Sequence, residues 1–144
     1  MQPLLTINKP RYTRQRFPNA LRGLMQERHL SYRQLAYKTR LSAGYLNHLT
    51  KGTRPVPADP VIGNIATALR VESDFFLEYR LRQVVHVLDK TAPLADRLYG
   101  VLVRRLPVPD DLGPMLEAHA AGTNGGNGGN GGNGGNEERG VVSL

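Results

Sequence analysis

Residues 31–57 read SYRQLAYKTRLSAGYLNHLTKGTRPVP, and this stretch decides the fold. Ser31, followed three residues later by Gln34, makes a capping box, which predicts the start of a helix. Ser42 is a suitable N-cap for the next helix, and Gly52 is a typical C-terminal signal. The stretch therefore predicts two short helices in close succession.

The connection between these two helices covers only residues 39–41. Two short helices joined by so tight a turn cross at a steep angle, and their contact point needs a small residue, which Ala36 supplies. Leu41 and Leu46 are placed to pack the second helix against the first. The pattern predicts helix-turn-helix geometry, with the second helix available for the major groove of DNA.

Apolar spacing predicts more helices on both sides of this pair. Upstream, Leu21, Leu24 and Met25 share one face of a helix that begins at Pro18. Downstream we predict a fourth helix with Asp59 as N-cap, a fifth capped by Ser73 and running through Leu77, Leu81, Val84 and Leu88, a sixth with Leu94, Leu98, Val101 and Leu102, and a seventh over 110–119.

We therefore predict an all-α protein in four parts. These are a basic arm at 1–17, a five-helix helix-turn-helix domain at 18–79, a helical extension at 80–121 and a Gly/Asn-rich tail at 122–144. The tail should be disordered, because glycine has no side chain to bury and much backbone entropy to lose. Its last residues, EERGVVSL, are either a tethered recognition peptide or a plain tail.

Residues 19–79 resemble the XRE (Cro/CI-type) family of helix-turn-helix proteins. The segments that carry the resemblance are ALRGLMQERHLS, QLA, LS with YL after it, KGTRPVP, IATALRV and SDFF, in that order. The resemblance implies a lambda-repressor-like domain of five helices. YLNHLTKGTR followed by a helical tail also resembles the EspR-like secretion regulators, which implies C-terminal helices that dimerise and a protein that acts partly as a DNA organiser.

The family usually has glycine where this chain has Arg40, and often where it has His29. The resemblance implies a left-handed backbone at both positions, which costs a non-glycine residue about 1 kcal/mol or more. Arg40 is either tolerated for its charge near phosphate, or the turn differs slightly from that of the family.

The resemblance makes residues 42–51 the recognition helix and assigns two sets of DNA contacts. The residues expected to face base edges are Ala43, Gly44, Asn47 and His48, and those expected to meet phosphate are Tyr32, Arg33, Ser42, Tyr45, Lys51 and Arg54. Ala43 and Gly44 cannot form the bidentate hydrogen bonds that best discriminate bases. We therefore predict modest sequence selectivity, with much of the affinity from phosphate.

Several of these residues have a second interpretation. His48 is alternatively a solvated surface residue, Gly44 is alternatively a tolerated glycine, and Tyr45 is alternatively half-buried packing. The arm offers Lys9, Arg11, Arg14 and Arg16 for contacts along the duplex or in a minor groove, or it takes no part.

The positive charge is segregated to one half of the chain, which carries +7 in total. Residues 1–54 hold eleven lysines and arginines and one acid, Glu27, whereas residues 55–144 hold eight basic and eleven acidic residues. A basic half favours a polyanionic partner, and double-stranded DNA is the obvious one. A generally solvated basic surface is the alternative.

Residues 80–121 contain apolar stripes that need a partner, either the body of the same chain or a second copy. We expect a homodimer built on Leu94, Leu98, Val101, Leu102, Leu112, Met115 and Leu116. Its two reading heads would address half-sites about 34 Å apart.

The leading functional hypothesis is a cytoplasmic, nucleoid-associated DNA-binding regulator of transcription. A DNA organiser and an antitoxin-type protein-interaction module are the alternatives. An enzyme is not expected, because the chain has no nucleophile–base constellation or phosphate loop. With no cysteine and scattered histidines, we expect no metal and no cofactor, and nothing points to a small-molecule ligand. No apolar run reaches the roughly 20 residues that span a membrane, so we expect no membrane partner.

Overall fold

The computed structural model describes residues 11–126, with side chains as far as residue 122. This part of the chain is all-helical and contains no strand, which confirms the predicted fold class. The elements are α1 (Phe17–Glu27), α2 (Tyr32–Thr39), α3 (Ala43–Lys51), α4 (Asp59–Ala68), a 3₁₀ turn (Ser73–Phe75), α5 (Leu77–Asp89), α6 (Ala92–Leu102) and α7 (Leu112–Gly126). No helix in residues 11–126 has the length and apolar character to cross a membrane.

The described residues divide into two compact units, 11–87 and 88–126. The first contains the helix-turn-helix pair, and the second contains α6 and α7.

The caps of α2 and α3 have the chemistry that the sequence predicts. The Gln34 amide donates to the Ser31 hydroxyl at 3.1 Å, and the Ser31 amide donates to the Gln34 side chain at 2.8 Å, which closes the capping box. The Tyr45 amide donates to the Ser42 hydroxyl at 3.0 Å. Gly52 ends α3 with a φ of 75°, a left-handed conformation that glycine adopts without a steric penalty.

The core of the first unit joins aliphatic residues from α1 to α4 to an aromatic cluster. Phe17 and Phe76 are fully buried with ring centroids 4.8 Å apart, and Phe75 lies edge-on to Phe76 at 5.2 Å. These three rings are the large aromatic part of a core that is otherwise mainly aliphatic. Phe17, which the sequence placed in the arm, is the first residue of α1, because Pro18 suits the opening turn of a helix.

Two residues predicted to be helix N-caps, Asp59 and Ser73, do not cap the predicted helices. Ala58, not Asp59, is the N-cap of α4, because the Asp59 carboxylate accepts hydrogen bonds from Arg82 and Gln83 at 3.0 Å each. Ser73 opens the 3₁₀ turn rather than the fifth helix, which begins only at Leu77.

In the second unit, α6 and α7 are joined by an ion pair. The Arg97 guanidinium contacts the Asp111 carboxylate through Nε and Nη2, the latter at 2.8 Å. The hydrogen bond from Arg97 holds the pKa of Asp111 below its ordinary value. Helix α7 begins at Leu112 rather than Asp110 and continues to Gly126, past the predicted start of the disordered tail. Adding residues to an existing helix costs far less than nucleating one, which favours this extension. The rest of the predicted tail, residues 127–144, lies outside the described residues.

Candidate nucleic-acid interface

The turn between α2 and α3 is held by side chains on both sides. The Thr39 hydroxyl donates to the Leu35 carbonyl at 2.8 Å and accepts from the Leu41 amide at 3.2 Å. The Asn64 side-chain amide, on α4, donates to the Thr39 carbonyl at 2.8 Å. Leu46 is fully buried and Leu41 packs against the core, as the sequence predicts. The angle of α3 is therefore fixed by both packing and hydrogen bonds.

Two left-handed residues flank α2. His29 has a φ of 57° and Arg40 has a φ of 65°, so the conformation implied by the resemblance is present at both positions. Arg40 is the C-cap of α2, and its amide donates to the Ala36 carbonyl at 2.7 Å. The side chain of Arg40 is exposed, so the strained position displays a charge beside the turn.

The C-terminal end of α3 is tied to α1. The Arg22 guanidinium donates to the Thr50 carbonyl and, at 2.8 Å, to the Asn19 side chain. The Tyr32 hydroxyl lies 2.6 Å from the Thr50 hydroxyl, which in turn donates to the Asn47 carbonyl. Tyr32, a predicted phosphate contact, is therefore used to hold α3.

The four predicted base-reading residues occupy different environments. Gly44 and His48 are exposed, whereas Ala43 and Asn47 are partly buried. The Asn47 side-chain oxygen is buried and has no hydrogen-bond partner among the described residues. His48 is engaged through Nδ1, which lies 2.7 Å from the Thr53 hydroxyl. Of the two predicted hydrogen-bonding readers, His48 is thus the one at the surface.

The remaining predicted phosphate contacts lie at the edges of α2 and α3. Ser42, Arg33, Lys51 and Arg54 are exposed. Tyr45 is partly buried against the core, and the Arg54 guanidinium lies over its ring at 5.9 Å. This contact positions Arg54 beside α3 by a cation–π interaction.

The basic residues of the turn region have no acidic partners within residues 11–126. Among the described residues, no ion pair involves any of the following: Arg33, Lys38, Arg40, Lys51 and Arg54. Uncompensated positive charge therefore concentrates on α2, the turn and the end of α3.

The arm residues behave differently. Arg11 forms a two-pronged hydrogen bond with Glu27 at 2.8 and 3.1 Å, and this bond holds the pKa of Glu27 below its ordinary value. Arg16 lies 3.9 Å from the Glu78 carboxylate, and Arg14 is exposed. Lys9 lies outside the described residues. Residues 11–13 also contact the body, since Thr13 donates to the Phe75 carbonyl at 3.0 Å.

Three further residues near α2 and α3 were not named as candidates from the sequence. Thr53 follows the helix-ending Gly52, and its hydroxyl lies 2.7 Å from Nδ1 of His48. Tyr37 is 88% exposed on α2, four residues after Arg33 and thus on the same helix face, a spacing that could have identified it. Asn64 gave no signal, because its role depends on how α4 packs against the turn.

No cluster of three or more potential metal-ligating residues occurs within the described part of the chain.

Neither the curated proteins nor the solved structures include a significant match to this chain. A family model of the helix-turn-helix domain matches residues 19–74, well under half of the 144 residues. The match covers α1 to the start of the 3₁₀ turn and supports a DNA-binding role. Residues 19–74 thus form a helix-turn-helix domain.

Proposed function

We propose that this chain is a DNA-binding regulator of transcription, of the XRE type, that inserts α3 into the major groove. The observation that carries the proposal is the set of exposed basic side chains without acidic partners around α2 and α3. The phosphate groups of DNA attract such charges. The helix-turn-helix geometry supports an arrangement in which α3 lies between these basic side chains and faces the DNA.

Few side chains of α3 can contact the edges of DNA bases. Gly44 is exposed, and a Cβ built on it meets no atom within 4 Å, so the start of α3 permits a close approach to DNA. Ala43 can contact a thymine methyl, and His48 can hydrogen-bond a base edge. Asn47 contributes less, because its side-chain oxygen is buried.

Affinity should depend chiefly on phosphate contacts from Arg33, Lys51 and Arg54. Ser42 and Tyr45 are secondary, since the Ser42 hydroxyl caps α3 and the Tyr45 ring supports Arg54. In the arm, Arg14 is the better candidate for a DNA contact, because Arg11 and Arg16 are ion-paired. We expect a preferred site to bind less than about a thousandfold more tightly than a scrambled site. A larger ratio would contradict modest selectivity.

We further propose that the protein is a homodimer whose interface lies in the second unit. Leu94 and Leu112 are 2% and 8% exposed within one chain, so they serve its own packing. Leu102 is 68% exposed, and other apolar side chains nearby in sequence are also exposed: Tyr99, Val103, Leu106, Val108 and Leu116. Leu98, Val101 and Met115 are partly buried. A second copy would remove these side chains from water.

Sedimentation tests the dimer. Leu102→Glu should yield a monomer with an unchanged helical spectrum, because the side chain lies outside the core. Val85→Glu, at an exposed apolar site on α5, is the matched control and should leave the dimer intact. If Val85→Glu dissociates the dimer and Leu102→Glu does not, the interface lies on α5.

Mapping of bound DNA across the genome of the source cell separates the classes of function. A few sharp palindromic sites would support a local repressor. Diffuse coverage would support a DNA organiser, which the sparse reading surface also suits. Absence of DNA, with capture of one protein partner, would support an antitoxin-type interaction module and contradict the proposal.

A further inference from the structure

Thr53 lies beside the imidazole of His48 because α3 ends in a tight turn. Gly52 reverses the chain with a φ of 75°, and the Thr53 amide then donates to the His48 carbonyl at 3.0 Å. The same turn brings the Thr53 hydroxyl to 2.7 Å from Nδ1 of His48 and 3.3 Å from its carbonyl. One hydroxyl hydrogen can therefore serve either acceptor.

The neutral ring is the first case. The Thr53 hydroxyl lies 2.7 Å from Nδ1 but 3.3 Å from the His48 carbonyl, so Nδ1 is the nearer of its two possible acceptors. The competing acceptor, the His48 carbonyl, already receives the amides of Gly52 and Thr53. We infer that the Thr53 hydroxyl donates to Nδ1 rather than to this carbonyl. Because a neutral imidazole carries one proton, that proton resides on Nε2.

In the protonated ring, as in the neutral one, Nε2 carries a hydrogen. Both ring nitrogens then carry hydrogen, and Nδ1–H donates to the Thr53 oxygen. The hydroxyl rotates to the His48 carbonyl at 3.3 Å, so no donor or acceptor is left unused. In either protonation state, Nε2 carries a hydrogen and the exposed ring edge is a donor.

We propose that Thr53 is a positioning residue that makes His48 a donor-only reader of DNA, with a preference for guanine. The proposal rests on the proposed function, in which α3 lies in the major groove. Guanine presents two acceptors there, N7 and O6, whereas cytosine presents an N4 donor that an Nε2–H would oppose. Adenine pairs its N7 acceptor with an N6 donor, and thymine has one acceptor beside a methyl.

The size of this preference follows from one hydrogen bond. A single net hydrogen bond corresponds to roughly a five- to tenfold change in affinity. We expect guanine to exceed cytosine by about that factor at the position that His48 contacts. Ala43 and Gly44 cannot compensate, since neither side chain has a hydrogen-bonding group.

The experiment combines two measurements on the full-length protein. Nitrogen-15 NMR of the histidine ring reports the tautomer of His48 without DNA. Selection from duplexes randomised over the bound site reports base preference for the wild type, Thr53→Val and Thr53→Ser. Thr53→Val removes the hydroxyl at similar volume, and Thr53→Ser retains it.

We expect the neutral His48 ring to carry its proton on Nε2 in the wild type and Thr53→Ser, which should share the guanine preference. Thr53→Val should lose that preference while keeping most of its total affinity. An Nδ1–H tautomer in the wild type, or an unchanged guanine preference in Thr53→Val, would overturn the inference even if DNA binds. If the wild type binds no duplex, the proposed function fails, and the tautomer measurement alone decides the role of Thr53.

Discussion

The side-chain amide of Asn64 donates a hydrogen bond to the carbonyl oxygen of Thr39 at 2.8 Å, and so joins α4 to the last residue of α2. That carbonyl lies at a helix end, where it lacks an intrahelical partner. The contact ties the turn before α3 to the core helices, and with it the direction in which α3 is presented.

Asn64→Ala should lower the free energy of unfolding by about 1 kcal/mol, the usual net value of one hydrogen bond. Asn64→Asp should cost more, because a carboxylate cannot donate and would face the Thr39 carbonyl. Urea denaturation of both variants measures this. Thr67→Ala, at an exposed position of α4, is the control and should change stability little. Wild-type stability in Asn64→Asp would show that the hydrogen bond contributes nothing.

Arg40→Gly should stabilise the fold and weaken DNA binding. Its φ of 65° is costly for arginine, so glycine should raise stability by up to about 1 kcal/mol. Removal of the charge should lower affinity for duplex DNA and reduce the salt slope by about 1. His29→Gly relieves the same conformation at a φ of 57° outside α2 and α3, and should stabilise without changing DNA affinity. Equal effects of both variants on DNA binding would contradict the placement of Arg40 near phosphate.

Gly44→Ala tests how closely DNA approaches α3. No atom lies within 4 Å of a Cβ at Gly44 or at Gly23, and both are helical, so alanine should stabilise each by up to about 1 kcal/mol. Only Gly44→Ala should weaken DNA binding, because its methyl group would point from the exposed face of α3. Fluorescence anisotropy measures the DNA affinity of each variant. If Gly44→Ala binds DNA as tightly as the wild type, DNA does not approach α3 closely at this position and the glycine has no role in binding.

The Arg11–Glu27 pair should give stability that disappears in acid. The hydrogen bond from Arg11 lowers the pKa of Glu27 from its ordinary value of 4.5, with a smaller contribution from Arg28. A lowered folded-state pKa stabilises the protein above the unfolded-state pKa, and this stabilisation is lost as the pH falls through the folded-state value.

Wild type should therefore exceed Glu27→Gln in urea midpoint at neutral pH, and the difference should shrink below about pH 4. Both groups are exposed, so the effect is small. Arg11→Met should remove the same advantage, and the double variant should lose little more. A difference that is constant from pH 7 to about pH 3 would contradict the role of the pair.

Local signals predicted the central helices well. Ser31, Gln34, Ser42 and Gly52 act within one or two turns of chain, so their hydrogen bonds follow from spacing alone. The left-handed conformation of Arg40 followed from the resemblance for a similar reason, because a tight turn between helices demands it.

Features that depend on distant residues were not predictable. Asp59 looks like an N-cap in sequence, yet Arg82, 23 residues further along the chain, binds its carboxylate. Phe17 adjoins a basic arm in sequence but packs at a tilt of 47° against Phe76, which is distant along the chain. The orientations of His48 and Asn47 depend on the turn after Gly52 and on burial, so the sequence could name these readers but not rank them.

The central claim is that this protein binds DNA chiefly through charged contacts with phosphate. The most direct test is the affinity of the full chain for duplex DNA as a function of salt concentration. Arg33, Arg40, Lys51 and Arg54 give four charged phosphate contacts per head, so log K should fall against log salt with a slope of about −4 for one head and about −7 for a dimer. A variant with alanine at Arg33, Lys51 and Arg54 should lose most of that slope. No binding at about 50 mM salt, or binding that salt leaves unchanged, would contradict the account.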